Sequence, residues 1–305
     1  MTTAVVFAYS EVGARCLTVL YEAGIDVPLV CTHEDDPGET RWFASVADIA
    51  RQHGSEVTVN EPATHPALAS RIEALAPDFV FSFYYRRMLP RTVLAAPRLG
   101  ALNMHGSVLP HFRGRAPVNW AIVHGATETG ASLHYMVEKP DAGNLVDQAA
   151  VAIGPDDTAV EVAARVADAA VLVLRRSLPA LVAGTAPSVP LDLARGSYFG
   201  GRRPADGEFQ WTWAASRIHN LVRAVAPPFP GAFAKLGEAT LRVHRTRLLP
   251  TIASGAPRLE CDGPALIAVC GDGGRLELVE AWLGAQPLTV ATFASHFGNG
   301  PVGLS

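Results

Sequence analysis

Asn103 and His105 stand two residues apart at the end of a short, mostly apolar run, Gly100–Met104. In a strand, side chains at i and i+2 share a face. A carboxamide and an imidazole would then point into one spot. The carboxamide is a neutral hydrogen-bond donor that does not titrate, and histidine is the side chain that moves protons near neutral pH. Together they suit a reaction in which a carbonyl oxygen gains negative charge while a proton changes hands. Asp141 is a plausible third member, because a carboxylate beside an imidazole favours its protonated form.

An Asn-x-His pair alone more often marks a satisfied structural contact, since buried polar groups generally pair. The residues just downstream argue for chemistry. Ser107-Val108-Leu109-Pro110 leads into Arg113-Gly114-Arg115-Ala116-Pro117, a loop with two guanidinium groups that opens directly off the pair. Binding residues concentrate in loops carried by a rigid scaffold.

The pair needs a strand, and the strand needs a sheet. Thr3–Ala8 reads as a buried first strand and Gly13–Ala23 as the helix after it. Their turn, Tyr9-Ser10-Glu11-Val12-Gly13, has one glycine where a dinucleotide fingerprint needs three, so no NAD is expected. Val27–Thr32 reads as a second strand. The polar loop after it, His33–Thr40, carries Glu34, Asp35, Asp36 and Glu39; a solvated loop is expected there, and no metal. Trp42–Gln52 reads as helix, Glu56–Val59 as strand, Pro66–Leu75 as helix and Asp78–Phe83 as a buried strand. That strand ends in Tyr84-Tyr85-Arg86-Arg87-Met88-Leu89-Pro90, and in open α/β sheets ligands bind outside the carboxyl ends of strands. Beyond the central pair, Pro117–Gly125 reads as a short helix, and Thr129–Val137 and Leu145–Ile153 as strands. Thr158 and Glu161 form a capping-box pattern for a helix that Pro179 is expected to end or kink. Strands alternating with helices predict an α/β fold with a Rossmann-like, mostly parallel sheet.

The composition then shifts. Gly184–Gly207, rich in Gly, Pro and Arg, reads as a linker. Trp211–Val225 reads as a lone helix. Ala232–Lys235, Thr240–Leu248, Ala265–Cys270 and Leu276–Trp282 read as short strands of a smaller β-barrel domain. The expected organisation is a catalytic domain over 1–190, a linker over 191–207 and a C-terminal domain over 208–305.

Composition narrows the function classes. Over 305 residues the hydrophobic fraction is 49% and the charged fraction 18%, as in a soluble globular protein. A net charge of −4 gives no global reason to expect nucleic acid. From Gly200 to Ser305, 10 Lys and Arg stand against 8 Asp and Glu, so no strongly basic surface is expected there either. Cys16, Cys31, Cys261 and Cys270 have no paired spacing, which fits a reducing compartment, the cytoplasm. The N-terminus lacks the charged and apolar pattern of a signal peptide. No apolar run reaches the ~18 residues of a membrane span.

The string Asn103-x-His105-x-Ser107-x-Leu109-Pro110-x-x-Arg113-Gly114-x-Ala116-Pro117, with Asp141 downstream, resembles the folate-dependent formyltransferases. These move a formyl group from 10-formyltetrahydrofolate to an amine. Val5–Tyr9, Phe81–Arg86 and Val222–Val225 are similar to the branch that forms the formyltransferase domain of bifunctional polymyxin-resistance proteins. That branch formylates UDP-4-amino-4-deoxy-L-arabinose in lipid A modification. The resemblance implies a catalytic set of Asn103, His105 and Asp141. It places the folate against Arg87, Met88 and Leu89, largely through backbone groups, against Arg115, and against Val137, Glu138, Lys139, Pro140 and Asp141. It implies that the second domain is related to the oligonucleotide-binding fold. For the two phosphates of a UDP-amino sugar, the candidate donors are Asn119, Arg202, Arg203, Asn220 and Arg223. His111, His124 and His134 fall off the motif and are read as structural.

Three other readings stand beside this one. Methionyl-tRNA formyltransferases share the catalytic motif, but that branch carries a Gly-Thr-Pro turn and a longer basic loop. Here the turn is Tyr9-Ser10-Glu11, and the loop from His33 is short and acidic. Other nucleotide-sugar N-formyltransferases, acting on different amino sugars, are the second reading. A folate or sugar-nucleotide sensor would need no proton donor, so the intact catalytic set argues against it. The sequence leaves the oligomeric state open.

Overall fold

Thr3–Ala8 (β1) is a run of small, β-branched and aromatic residues, and all but its first residue are buried. Such a run must lie in the middle of a sheet covered on both faces, and it does. The computed structural model describes residues 1–34, 43–298 and 300–304. Asp35, Asp36, Glu39 and Trp42 therefore lie outside the described residues.

Two compact units are present. The first comprises Met1–Pro117, Glu128–Ala152 and Ala163–Gly200; the second comprises Val118–Thr127, Ile153–Val162 and Gly201–Ser305. Each is thus assembled from separated stretches of chain.

In the first unit, β1 is followed by Ser10–Glu22 (α1), Asp26–Thr32 (β2), Val46–Gln52 (α2), Glu56–Val59 (β3), Pro66–Leu75 (α3), Phe79–Phe83 (β4), Arg91–Ala95 (α4) and Gly100–His105 (β5). Arg113–Gly114 (β6), Glu128–Tyr135 (β7), Leu145–Ala152 (β8) and Tyr198–Phe199 (β9) complete its strands. The main sheet runs β3-β2-β1-β4-β5-β7-β8. The pairs among β3, β2, β1, β4 and β5 are parallel, and β7 and β8 close one edge in antiparallel fashion. Val5 and Phe7 of β1, Leu29 and Cys31 of β2, Val80 of β4 and Ala101 of β5 pack on one face against Leu68 and Ile72 of α3 and Val93 of α4. Phe79, Phe81 and Phe83 alternate with Val80 along β4, and successive rings stack at 5.4 Å. Burying one such ring is worth roughly 1.5–3 kcal/mol. These aromatics make β4 and its neighbour β5 a rigid platform.

In the second unit, Pro117–Val123 (α5) supplies most of its short helix, and Ala159–Val182 (α6) begins there. Ala215–Ala224 (α7) follows the fully buried Trp211. Ala232–Leu236 (β10), Ala239–Ile252 (β11), Arg258–Asp262 (β12), Ala265–Val269 (β13), Gly274–Leu283 (β14), Gln286–Pro287 (β15) and Val302–Gly303 (β16) are its strands. They form an antiparallel sheet, β10-β11-β14-β13-β12-β16, with β15 on β14. Repeated register shifts along β11 and β14 curl this sheet into a half-barrel.

Two sequence expectations need correction. The helix expected to end or kink at Pro179 continues past it to Val182. Proline forfeits only its own N–H, and Ala183 still donates to the Pro179 carbonyl at 3.0 Å, so the last turn survives. The C-terminal unit has a further helix, Val290–Phe297 (α8), capped by the Thr289 hydroxyl, which accepts from the Thr292 N–H. Separately, β9 lies within the stretch read as linker, and its pairing with β6 is parallel and non-local.

Candidate active site

β5 sits between parallel β4 and antiparallel β7, with Asn103 opposite Ser82 on one side and His134 on the other. Asn103 and His105 share a face of the strand, and both meet Asp141. Asn103 Nδ2 donates to Asp141 Oδ1 at 3.3 Å, and His105 Nδ1 lies 3.6 Å from the same oxygen. The structure therefore brings together the three residues that the sequence singles out. His105 is 6% exposed and the Asp141 side chain 12%.

Asp141 is a non-glycine residue at φ 48, the left-handed region, which costs about 1 kcal/mol or more and persists only where the surroundings enforce it. Those surroundings are visible. Gly114 N–H donates to Asp141 Oδ2 at 2.8 Å, and His134 Nε2 lies 3.5 Å from Oδ1. Burial presses the Asp141 carboxyl toward neutrality. The charge of His105, the largest opposing influence, and the Gly114 N–H work against it, and the group is held well below the usual carboxylate range. Asp141 is thus an ionised, nearly dry carboxylate.

His105 Nε2 lies 2.9 Å from the Phe112 carbonyl. An imidazole that faces oxygen on both sides satisfies both only when each nitrogen carries a hydrogen. The loop that supplies Phe112 is itself pinned. Ser107 Oγ donates to His111 O at 2.6 Å, Ser132 Oγ donates to Ser107 O at 2.7 Å, and Leu109 N–H donates to Ser132 Oγ at 3.1 Å. Phe112 N–H donates to Ser197 Oγ at 2.9 Å, and the Phe112 and Phe199 rings stack at 5.8 Å. β6 and β9 thereby form a strap that holds Gly114 against Asp141.

The segments expected to line a folate fall in the same unit. Arg87 donates from Nη1 to Asn60 O at 2.9 Å, Met88 is 57% exposed, and Leu89 is buried in the core beneath β4. Arg115 has an exposed side chain, and its N–H donates to Phe199 O at 3.0 Å. Val137 and Lys139 are exposed, Glu138 pairs with Arg91 at 3.7 Å, and Pro140 leads into Asp141.

The residues expected to hold a sugar nucleotide lie in the second unit, and most already have protein partners. Asn119 Nδ2 donates to Ala224 O at 2.7 Å. Arg223 is buried; it donates to Asn220 Oδ1 from Nε and Nη2, and from Nη1 to the carbonyls of Gly154 and Asp157 at 3.1 and 3.2 Å. Arg202 packs over the Trp120 ring at 4.6 Å and donates to Asp206 O, and Arg203 is exposed.

His134 was passed over on sequence because it lies off the motif. It is 1% exposed, with Nε2 3.2 Å from Asn103 Nδ2 and Nδ1 2.8 Å from Tyr135 O. Pairing the alternating pattern of β7 with β5 is the signal that would have found it. Among the described residues no cluster of three or more His, Cys, Asp or Glu side chains is placed to hold a metal ion, and no helix is long and apolar enough to cross a membrane.

Two family matches account for most of the chain. The family described as Formyl transferase matches residues 4–178, and that described as Formyl transferase, C-terminal domain matches residues 202–298. Among solved structures, an N-formyltransferase from Helicobacter canadensis, in complex with folinic acid and dTDP-3-aminofucose, is similar over 94% of this chain and 100% of its own. Its identity is 17% and its TM-score 0.71. WlaRD, a sugar 3N-formyl transferase solved in the presence of dTDP and 5-N-formyl-THF, is similar over 94% and 98%, at 17% identity and a TM-score of 0.72. A sugar N-formyltransferase from a Shewanella species covers 83% of this chain and 100% of its own, at 17% identity and a TM-score of 0.65. At these identities the likeness is one of fold.

Proposed function

We propose a reaction for this chain, which belongs to the formyl transferase family and is a transferase: it moves a formyl group from 10-formyltetrahydrofolate to the amino group of a nucleotide-linked sugar. The finer reading is that the acceptor is UDP-4-amino-4-deoxy-L-arabinose, formylated for lipid A modification and hence polymyxin resistance. On this reading 1–190 is the catalytic domain, 191–207 the linker and 208–305 the C-terminal domain. Four free cysteines fit a cytoplasmic enzyme. The observation that carries the chemistry is the meeting of Asn103, His105 and a charged Asp141 at one point.

In the transfer, the amine nitrogen bonds to the formyl carbon, the bond from that carbon to the folate nitrogen breaks, and one proton passes from the amine to the folate nitrogen. Bound folate supplies the activated formyl carbon. Met88 and Val137 offer exposed apolar surface beside backbone groups, which suits a pterin, and Arg87, Arg115 and Lys139 offer cations for its glutamate. Asn103 Nδ2 has two hydrogens. The longer of its two contacts, to Asp141, is the one a formyl oxygen would take over as charge develops there. His105 is the proton source, and Asp141 keeps its ring oriented and its charge balanced. Asn119, Arg202, Arg203, Asn220 and Arg223 remain candidates for the sugar nucleotide, with Arg203 the most open.

Formyl transfer to UDP-4-amino-4-deoxy-L-arabinose, to dTDP-linked amino sugars and to Met-tRNA, measured side by side, identifies the acceptor. We expect the UDP-sugar to be preferred. Preference for a dTDP-sugar would replace the acceptor and keep the reaction, whereas activity on Met-tRNA alone would overturn the sugar reading.

A further inference from the structure

We infer that His134 is a positioning residue, held as the neutral Nδ1–H tautomer, that aims the Asn103 carboxamide. The inference rests on the proposed transfer for its consequence but not for its geometry. Asp141 fixes the first contact. An ionised carboxylate cannot donate, so the Asn103 atom 3.3 Å from Oδ1 must be the NH₂ group and not the carbonyl oxygen. That same NH₂ lies 3.2 Å from His134 Nε2. Two donors cannot face each other profitably, so Nε2 must be the acceptor. On the far side, His134 Nδ1 lies 2.8 Å from the Tyr135 carbonyl, an acceptor only, so Nδ1 carries the hydrogen. Each contact demands the same tautomer.

The competing arrangement is an imidazolium whose Nε2–H points to Asp141 Oδ1 at 3.5 Å. It is the longer contact, and it would set a proton against the Asn103 NH₂. Asp141 already has His105 and the Gly114 N–H as partners.

The arrangement has a mechanistic effect. One Asn103 hydrogen is fixed on His134 inside the sheet, so the amide cannot rotate and the other hydrogen is aimed at the spot between Asn103 and Asp141. A buried group, 1% exposed, can hold that geometry with little play. Misplacing a catalytic donor by about 1 Å can cost about a hundredfold in rate.

Two measurements test this. Long-range proton–nitrogen spectra of the ligand-free protein should show His134 protonated at Nδ1 and bare at Nε2 at neutral pH. A proton on Nε2 would overturn the inference whatever the enzyme's substrate. In formyl-transfer assays, His134→Leu should lower kcat about a hundredfold with little change in KM for either substrate. His134→Gln, which keeps an acceptor, should recover much of it. Unchanged kcat in a folded His134→Leu protein would also overturn it. Absence of transfer by the unaltered protein would instead sink the proposed reaction, leaving the tautomer measurement to decide the geometry.

Discussion

Gly114 N–H reaches the Asp141 carboxylate at 2.8 Å although 27 residues separate the two. Gly114 sits at φ 96, and a Cβ there would lie 2.1 Å from the Phe199 carbonyl oxygen. A side chain would therefore push β6 off β9 and draw the N–H away from Asp141. We expect Gly114→Ala to lower formyl transfer about a hundredfold in a protein that still folds, read by turnover beside circular dichroism. Undiminished turnover would show that the strap does not set Asp141.

The three converging side chains carry a second expectation. Asn103→Ala should cost roughly 10²–10³ in kcat, as for one oxyanion donor, and His105→Ala roughly 10²–10⁴ as for a proton donor. Asp141→Ala should nearly abolish transfer. Thermal unfolding of each variant should still be cooperative. A fully active His105→Ala enzyme would refute the assigned mechanism.

Arg223 separates a structural role from a ligand role. Its guanidinium is buried against Asn220 Oδ1 and the carbonyls of Gly154 and Asp157. Removing it leaves three acceptors without a charged donor, a loss of about 3 kcal/mol. Arg223→Lys should restore little, because an ammonium lacks the planar fork. Denaturant unfolding reads the loss. A raised KM for the sugar nucleotide with stability unchanged would instead favour the phosphate-binding role.

Acid should weaken the fold through His33. Its Nε2 accepts from the Arg86 N–H at 3.1 Å, and its ring stacks on Tyr85 at 4.2 Å. Burial, then the charges of Arg87 and Arg86, push its pKa down from 6.5 to about 4. Between those values the unfolded chain binds the proton and the folded one does not. The associated stability is therefore complete above about pH 6.5 and is lost as pH falls toward 4. The loss should be about 2 kcal/mol, less than the full shift gives because the ring keeps some access to solvent. Urea unfolding at several pH values should show this slope, and His33→Phe should flatten it. An unchanged slope in the variant would assign the acid sensitivity elsewhere.

The sequence by itself determined the parts whose information is local. The i and i+2 spacing of Asn103 and His105, the β-branched runs that became β1 and β2, and the apolar run of β5 depend only on neighbours in the chain. The mostly parallel sheet was legible from strands alternating with helices. Other features depended on which segments meet. His134 became part of the site because antiparallel pairing sets it opposite Asn103. Gly114 mattered because β9, inside a stretch that reads as linker, pairs with β6. Arg223 reads on sequence as a candidate phosphate ligand, and only the fold shows its guanidinium on the carbonyls of Gly154 and Asp157. Register, close backbone approach and desolvation are properties of pairs of distant residues, so only the folded chain decides them.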